Sequence, residues 1–115
     1  MRFEFATAAR IIFGAGAVRE AGPIALEFGT RALVVTGSDT RRAAPLLDIL
    51  RAQGVSASLL AVRGEPEIAT VSQGVALAQR EACSLVIAMG GGSALDAGKA
   101  IAAMLTNTAG EPLDY

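Results

Sequence analysis

An apolar run leads directly into three consecutive glycines and then into a helix-forming segment. Residues Leu85–Met89 are followed by glycines 90–92 and by Ser93. A strand that is apolar at every position is typical of a parallel sheet covered on both faces. A glycine-rich strand-to-helix turn brings backbone N–H groups to the positive end of the helix dipole, with no Cβ atoms to hold a ligand away. This segment therefore predicts an α/β fold with a phosphate-binding turn.

Strand and helix patterns alternate through the preceding residues. Residues 31–35 and 55–62 predict strands, and the spacing of Ala43, Leu46 and Leu50 predicts a helix between them that starts at Asp39. A helix over residues 70–81 follows, and Thr70 with Gln73 has the pattern of a capping box. Residues 94–105 are expected to form a helix after the glycines.

The N-terminal part completes the predicted architecture. Residues 2–5 and 10–13 have the composition of a β-hairpin, and residues 18–28 predict a helix that Gly22 and Pro23 should kink. Alternating strands and helices imply right-handed crossovers and a parallel sheet. The predicted fold class is α/β: a Rossmann-like parallel sheet of about three strands, flanked by helices and preceded by an N-terminal β-hairpin.

Composition excludes several classes of protein. The 115 residues include 52% hydrophobic and 18% charged side chains, which predicts one folded domain over residues 1–115. A net charge of −1 without a basic stripe argues against binding to nucleic acid or to an anionic membrane. No apolar run approaches the length of a membrane span, and no secretory signal is visible, so a cytoplasmic location is expected. One cysteine and no histidine leave no disulfide and no imidazole metal site.

The glycine turn matches neither of two general phosphate-binding patterns. The Walker pattern fails because Gly92 and Gly98 are separated by five residues and Lys99 precedes an alanine. The dinucleotide fingerprint finds a leucine at its third glycine. A purely structural alternative is a tight turn in which Ser93 and Asp96 form a capping box.

Ten residues identify a more specific pattern. Residues 90–99, read as GGGSALDAGK, closely resemble the GGGSxxDxAK signature of the iron-containing, or group III, alcohol dehydrogenases. Residues 11–17, IIFGAGA, resemble that family's opening IxFGxGA, and residues 32–36 resemble its first nucleotide-binding strand. Gly98 stands where the family usually has alanine. The resemblance covers essentially the whole chain and implies an NAD(P)-dependent oxidoreductase that interconverts alcohols and carbonyl compounds.

The resemblance also implies where a dinucleotide would lie. It places the diphosphate on Gly91, Gly92 and Ser93. It places Asp96 near the ribose on the nicotinamide side. No catalytic residue is implied for any position of this chain.

The residues after the first buried strand bear on the choice between NAD and NADP. Many NAD-using members carry an aspartate there, which accepts hydrogen bonds from the adenosine ribose and repels a 2′-phosphate. This chain has Gly37 and Ser38 instead, and Arg41 or Arg42 one turn later could pair with a phosphate. Asp39 keeps NAD open, so the expected cofactor is NAD or NADP.

The family's metal has no counterpart in this sequence. Members bind divalent iron or zinc through an aspartate and three histidines of a helical domain, whereas this chain has no histidine. The resemblance therefore implies an incomplete N-terminal dinucleotide-binding domain, truncated before the metal-binding part and inactive by itself. Two alternatives are a stand-alone nucleotide-binding or regulatory module and an inert fragment. Apolar surface left by an incomplete sheet further predicts a homo-oligomer.

Overall fold

A computed structural model describes the backbone of residues 2–6, 9–13 and 29–108 and the side chains of residues 29–105. The described part contains five strands, one short 3-10 helix and three α-helices. In chain order these are β1 (Arg2–Ala6), β2 (Ala9–Phe13), β3 (Arg31–Thr36), the 3-10 helix (Thr40–Ala43), α1 (Ala44–Ala52), β4 (Ser56–Ala61), α2 (Ile68–Arg80), β5 (Leu85–Met89) and α3 (Gly92–Thr108). The helix predicted over residues 18–28 lies outside the described residues.

The five strands form one sheet in the order β1-β2-β5-β3-β4. Strands β5, β3 and β4 run parallel, as predicted, with Val34 of β3 opposite Ile87 on one side and Leu59 on the other. The N-terminal hairpin is confirmed, because β1 and β2 pair antiparallel. The hairpin joins the sheet, since β2 pairs parallel with β5 at Ile11 and Val86. Strand β5 therefore has a neighbour on each side, and the predicted α/β fold class is confirmed.

Two apolar clusters explain why β3 and β5 are apolar at successive positions. Alternate residues of the two strands, such as Val34 and Ile87, pack on one face of the sheet against Leu46 and Leu50 of α1. The other set packs on the opposite face against α2 and α3, where Ile101 has no exposed surface. Because successive side chains of a strand point to opposite faces, both sets are buried. None of the described helices is both long enough and apolar enough to cross a membrane.

The two predicted helix starts have different outcomes. Asp39 caps the 3-10 helix that leads into α1, because its side chain accepts a hydrogen bond from the Arg41 backbone N–H. The prediction of a capping box formed by Thr70 and Gln73 is wrong. Helix α2 begins at Ile68 after an extended Glu67, and the Val71 N–H already donates to the Glu67 carbonyl. That bond places Thr70 inside the first turn, whereas a capping residue needs non-helical backbone.

Candidate functional site

The carboxyl ends of β3 and β5 lie side by side at one edge of the sheet. Thr36 and Met89, the last residues of the two strands, are opposite each other in the parallel register. The connection through α1 leads from β3 to β4 on one side, and the connection through α2 returns past β3 to β5 on the other. The strand order thus reverses between β3 and β5. In open α/β sheets, such a switch point is where ligands bind.

A cleft of about 320 Å³ opens at this switch point. One wall is the end of β3 and the loop that follows it, residues 36–39, together with Arg42 and Ala43 of the 3-10 helix. The other wall is the end of β5 and the turn that follows it, residues 89–91. The walls approach closely, because a Cβ atom built on Gly90 would lie 3.5 Å from the Gly37 backbone nitrogen.

Three glycines at this edge are not required by the fold itself. A Cβ atom built on Gly37, Gly91 or Gly92 would meet no other atom within 4 Å. None of the three has a positive φ, whereas Gly90 has a φ of +123°. A glycine that neither packing nor backbone geometry requires leaves open space next to its peptide groups. That space lets a ligand approach the backbone directly.

The turn after β5 presents backbone donors at the start of α3. The helix begins at Gly92, and the Leu95 N–H donates to the Gly91 carbonyl at 3.1 Å. The preceding N–H groups of a helix have no carbonyl partner within it. Ser93 is the second helical residue, so it does not occupy the capping position that the alternative capping box with Asp96 requires. These donors therefore face the edge of the sheet where the cleft opens.

The charged residues that line the cleft are Arg42 of the 3-10 helix and Asp39, which caps that helix. The Asp39 Oδ1 atom accepts hydrogen bonds from the Arg41 backbone nitrogen and from Arg41 Nε, each at 3.1 Å. The Asp39 Oδ2 atom lies 3.4 Å from Arg41 Nη2. These hydrogen bonds hold the pKa of the Asp39 carboxyl below its usual value. Arg42 lines the cleft, whereas Arg41 does not.

The structure brings half of the predicted site residues into the cleft. Gly37, Ser38 and Gly91 line it. Gly92 and Ser93 lie just beyond, in the first turn of α3. Asp96 is exposed one turn further along α3 and is not part of the cleft lining.

Sequence reasoning missed other residues of the cleft. Thr36 and Met89 line it as the last residues of β3 and β5, and the Thr36 hydroxyl donates to the Gly37 carbonyl at 2.9 Å. Their position at the carboxyl end of neighbouring parallel strands is the signal that could have identified them.

The described residues do not fit a catalytic metal ion. Within residues 29–105 no group of three or more histidine, cysteine, aspartate or glutamate side chains could hold one. Cys83 is half-buried against the cluster formed with α2 and α3, and burial raises the pKa of its thiol. This position is typical of a cysteine that packs as a small apolar side chain.

Known proteins resemble this chain over nearly its whole length. The sequence model of the iron-containing alcohol dehydrogenase family matches residues 8–115. NADH-dependent butanol dehydrogenase A of Clostridium acetobutylicum is 31% identical over 108 residues, which are 90% of this chain and 28% of that protein. Choline dehydrogenase of Bacillus subtilis is 33% identical and covers 98% of this chain and 29% of its own length.

Solved structures resemble the fold as well. The crystal structure of an iron-containing alcohol dehydrogenase superposes with a TM-score of 0.70 at 27% identity, over 95% of this chain and 32% of that one. The structure of a 1,3-propanediol oxidoreductase gives a TM-score of 0.67 at 28% identity, over 86% and 27%. The chain thus spans less than a third of the length of these relatives.

Proposed function

The chain belongs to the iron-containing alcohol dehydrogenase family, and on this premise we propose that its cleft binds a nicotinamide dinucleotide. The observation that carries the proposal is the set of Gly37, Gly91 and Gly92, whose missing side chains neither packing nor backbone conformation explains. Their place at the switch point of the sheet is where a diphosphate can approach the backbone. A bound dinucleotide would fill the space that these glycines leave open.

Each part of the dinucleotide has a proposed position. The diphosphate lies against the turn of Gly91, Gly92 and Ser93, where N–H groups and the dipole of α3 favour negative charge. The adenosine ribose lies over Gly37 and Ser38 at the end of β3. The nicotinamide end then extends along the first turns of α3.

In the reaction proposed for the whole enzyme, an alcohol is oxidised or a carbonyl compound is reduced. The dinucleotide supplies the hydride acceptor or donor for that step. The proposed share of this chain is to bind and orient the dinucleotide, because its described residues do not fit the family's metal. Asp96, exposed one turn into α3, is the residue proposed to accept hydrogen bonds from the ribose on the nicotinamide side.

The substitution Gly92→Val tests the proposal. The two methyl groups of the valine would occupy the open space next to the turn, so we expect the affinity for NADH and NADPH to fall by at least about tenfold. The measurement is a calorimetric titration of the 115-residue chain, with far-ultraviolet circular dichroism to confirm that the variant is folded.

Ala69→Val is the matched control. Ala69 is exposed in the first turn of α2, so the control adds the same valine to a helix start outside the cleft. It should leave the affinity unchanged. Binding by Gly92→Val that equals binding by the parent chain would contradict the proposed diphosphate site. An unmodified chain that binds neither dinucleotide would favour the inert fragment.

A further inference from the structure

Strand β4 forms one outer edge of the sheet. It pairs with β3 on one side, and among the described residues no strand pairs with its other side. Alternate residues make the hydrogen bonds towards β3, because the N–H groups of Ser56 and Val62 donate to the carbonyls of residues 30 and 36. In a parallel ladder the backbone groups of the intervening residues point the opposite way. The free edge therefore presents the N–H and C=O groups of Ala57, Leu59 and Ala61.

This edge lacks the features that usually keep edge strands apart. Residues 56–61, read as SASLLA, contain no charged side chain and no proline. They pair residue by residue with β3, so no bulge bends the strand. An open groove of about 480 Å³, with Leu47, Arg51 and Ala57 among its lining residues, lies beside the amino end of β4, so α1 leaves this end of the edge open. An edge of this kind is a template for a further strand.

Leu59 adds an apolar contact in the middle of the edge. Its side chain is 39% exposed. It lies opposite Val34, on the face of the sheet that packs against α1. Alanines stand two positions before and after it, on the same face, and leave room beside the leucine. The edge thus combines free hydrogen-bonding groups with exposed apolar surface at one central position.

We propose that this edge binds a second copy of the chain, with the two β4 strands antiparallel about a twofold axis at Leu59. In this register Leu59 lies opposite Leu59 of the second copy, and Ala57 lies opposite Ala61 of the second copy. Each of these pairs exchanges two hydrogen bonds, so every outward N–H meets an outward C=O. The twofold axis keeps both leucines on one face, where each covers the exposed surface of the other. This match of the strand with itself selects a second copy over an unrelated extended peptide.

The contact is small, and it is separate from the cleft. It uses six residues of each copy, whereas interfaces of standard size use about 20–30 residues a side. We therefore expect a weak dimer, with a dissociation constant on the order of 10–100 μM. The cleft opens between β3 and β5, so pairing at the outer side of β4 leaves it accessible. The inference does not depend on the proposed function.

Disulfide trapping tests the register. Cys83→Ser removes the single cysteine of the chain, and Leu59→Cys in that background places two thiols opposite each other. Their Cα atoms would be about 5.5 Å apart, which is within the range of a disulfide. Oxidised glutathione should convert most of this protein to a covalent dimer at high micromolar concentration. Each bond that forms reduces one glutathione disulfide to two thiols.

Ala57→Cys in the same background is the matched control. Ala57 is exposed on the same face of the same strand. In the proposed register its two copies are four residues out of step, about 14 Å apart, which is too far for a disulfide. This variant should remain uncrosslinked by itself. Mixed with Ala61→Cys, which is also silent by itself, it should form a covalent heterodimer.

Leu59→Lys tests the affinity of the contact. It places like charges opposite each other across the axis, so we expect the dissociation constant measured by sedimentation velocity to rise at least about tenfold. Met104→Lys is the matched control, because Met104 is 48% exposed on α3, which packs mainly over β2 and β5. It should leave the dissociation constant unchanged. Circular dichroism confirms that both variants are folded.

Three results would overturn the proposal. The first is an unsubstituted chain that stays monomeric at 200 μM, well above the expected dissociation constant. The second is covalent dimer formed as readily by Ala57→Cys as by Leu59→Cys, which would mean random collision or another register. The third is a dimer that Leu59→Lys leaves unchanged, which would place the contact on another surface. None of these results bears on dinucleotide binding, which the titration of Gly92→Val tests separately.

Discussion

Gly98 and Ala88 provide a quantitative test of how α3 packs on the sheet. Gly98 is buried on the face of α3 that contacts β5, and a Cβ atom built on it would lie 2.7 Å from the Ala88 Cβ. Non-bonded carbon atoms normally stay about 3.5–4.0 Å apart. Gly98→Ala therefore requires a displacement of about 1 Å. Neither methyl group can rotate away, because each is attached directly to the backbone.

Two opposing effects set the size of the expected change. Overpacking of a core typically costs about 1–3 kcal/mol. Replacing glycine by alanine inside a helix stabilises it by about 0.8–1.0 kcal/mol. We expect Gly98→Ala to lower the free energy of unfolding by about 1 kcal/mol, so the clash outweighs the helix propensity.

The effect of Gly98→Ala on the free energy of unfolding should change sign when Ala88 is replaced by glycine. Ala88→Gly alone should cost about 1.5 kcal/mol, from the lost burial of one methyl group and the added freedom of the unfolded chain. In that background the alanine at position 98 fills the vacated space and keeps its helix propensity. Gly98→Ala should then stabilise the chain by about 1 kcal/mol, a coupling of about 2 kcal/mol between the two positions.

Urea unfolding followed by circular dichroism measures the four proteins of this cycle. The free energy of unfolding comes from the midpoint and slope of each transition. If Gly98→Ala stabilises the chain by the same amount in both backgrounds, within about 0.5 kcal/mol, the two positions are not in contact. The close packing of α3 on β5 would then be refuted.

Two further predictions concern pH and association. Because Arg41 holds the pKa of the Asp39 carboxyl below its ordinary 3.8, the stability that Asp39 contributes is present above that value and is lost as the pH falls through the lowered one. The urea midpoint of Asp39→Asn should therefore lie below that of the unsubstituted chain near neutral pH and converge with it in acid. A difference between the two midpoints that stays the same at every pH would contradict the pairing of Asp39 with Arg41. We also propose that the chain forms a homo-oligomer, because β4 is an edge strand and the Ile68 side chain is 88% exposed. Sedimentation velocity should show concentration-dependent species larger than 11.7 kDa, and a single monomer at high micromolar concentration would contradict it.

The elements that the sequence predicts well are those whose local signals agree. Strand β5 is apolar at every position, the glycines end it, and the next residues favour a helix. The strand is found with its predicted bounds, and α3 contains the helix predicted over residues 94–105 and extends it to Gly92–Thr108. Helix α2 shows the opposite case, because the capping pattern of Thr70 competes with an earlier start at Ile68. The place of β2 beside β5 has no local signal, since pairing between distant strands depends on the tertiary fold.

Side-chain direction at the cleft is likewise a result of the fold. The sequence leaves Arg41 and Arg42 equivalent as partners for a phosphate. In the 3-10 helix they are separated by about a third of a turn, so Arg41 reaches the capping Asp39 while Arg42 lines the cleft. The capping role of Asp39 thus decides which arginine remains available. A local hydrogen bond determines the charge that a ligand meets.

The glycines of the motif show why a sequence pattern cannot assign roles to its own residues. Gly91, Gly92 and Gly98 belong to one ten-residue signature, yet only Gly98 is required by packing. Glycine appears in the sequence in the same way whether a ligand or a neighbouring strand occupies the space beside it. The packing around each glycine distinguishes the two cases, because a Cβ atom built on Gly98 would contact Ala88 and one built on Gly92 would meet no atom within 4 Å. Substitution at Gly98 should therefore act first on stability, and substitution at Gly92 first on dinucleotide affinity.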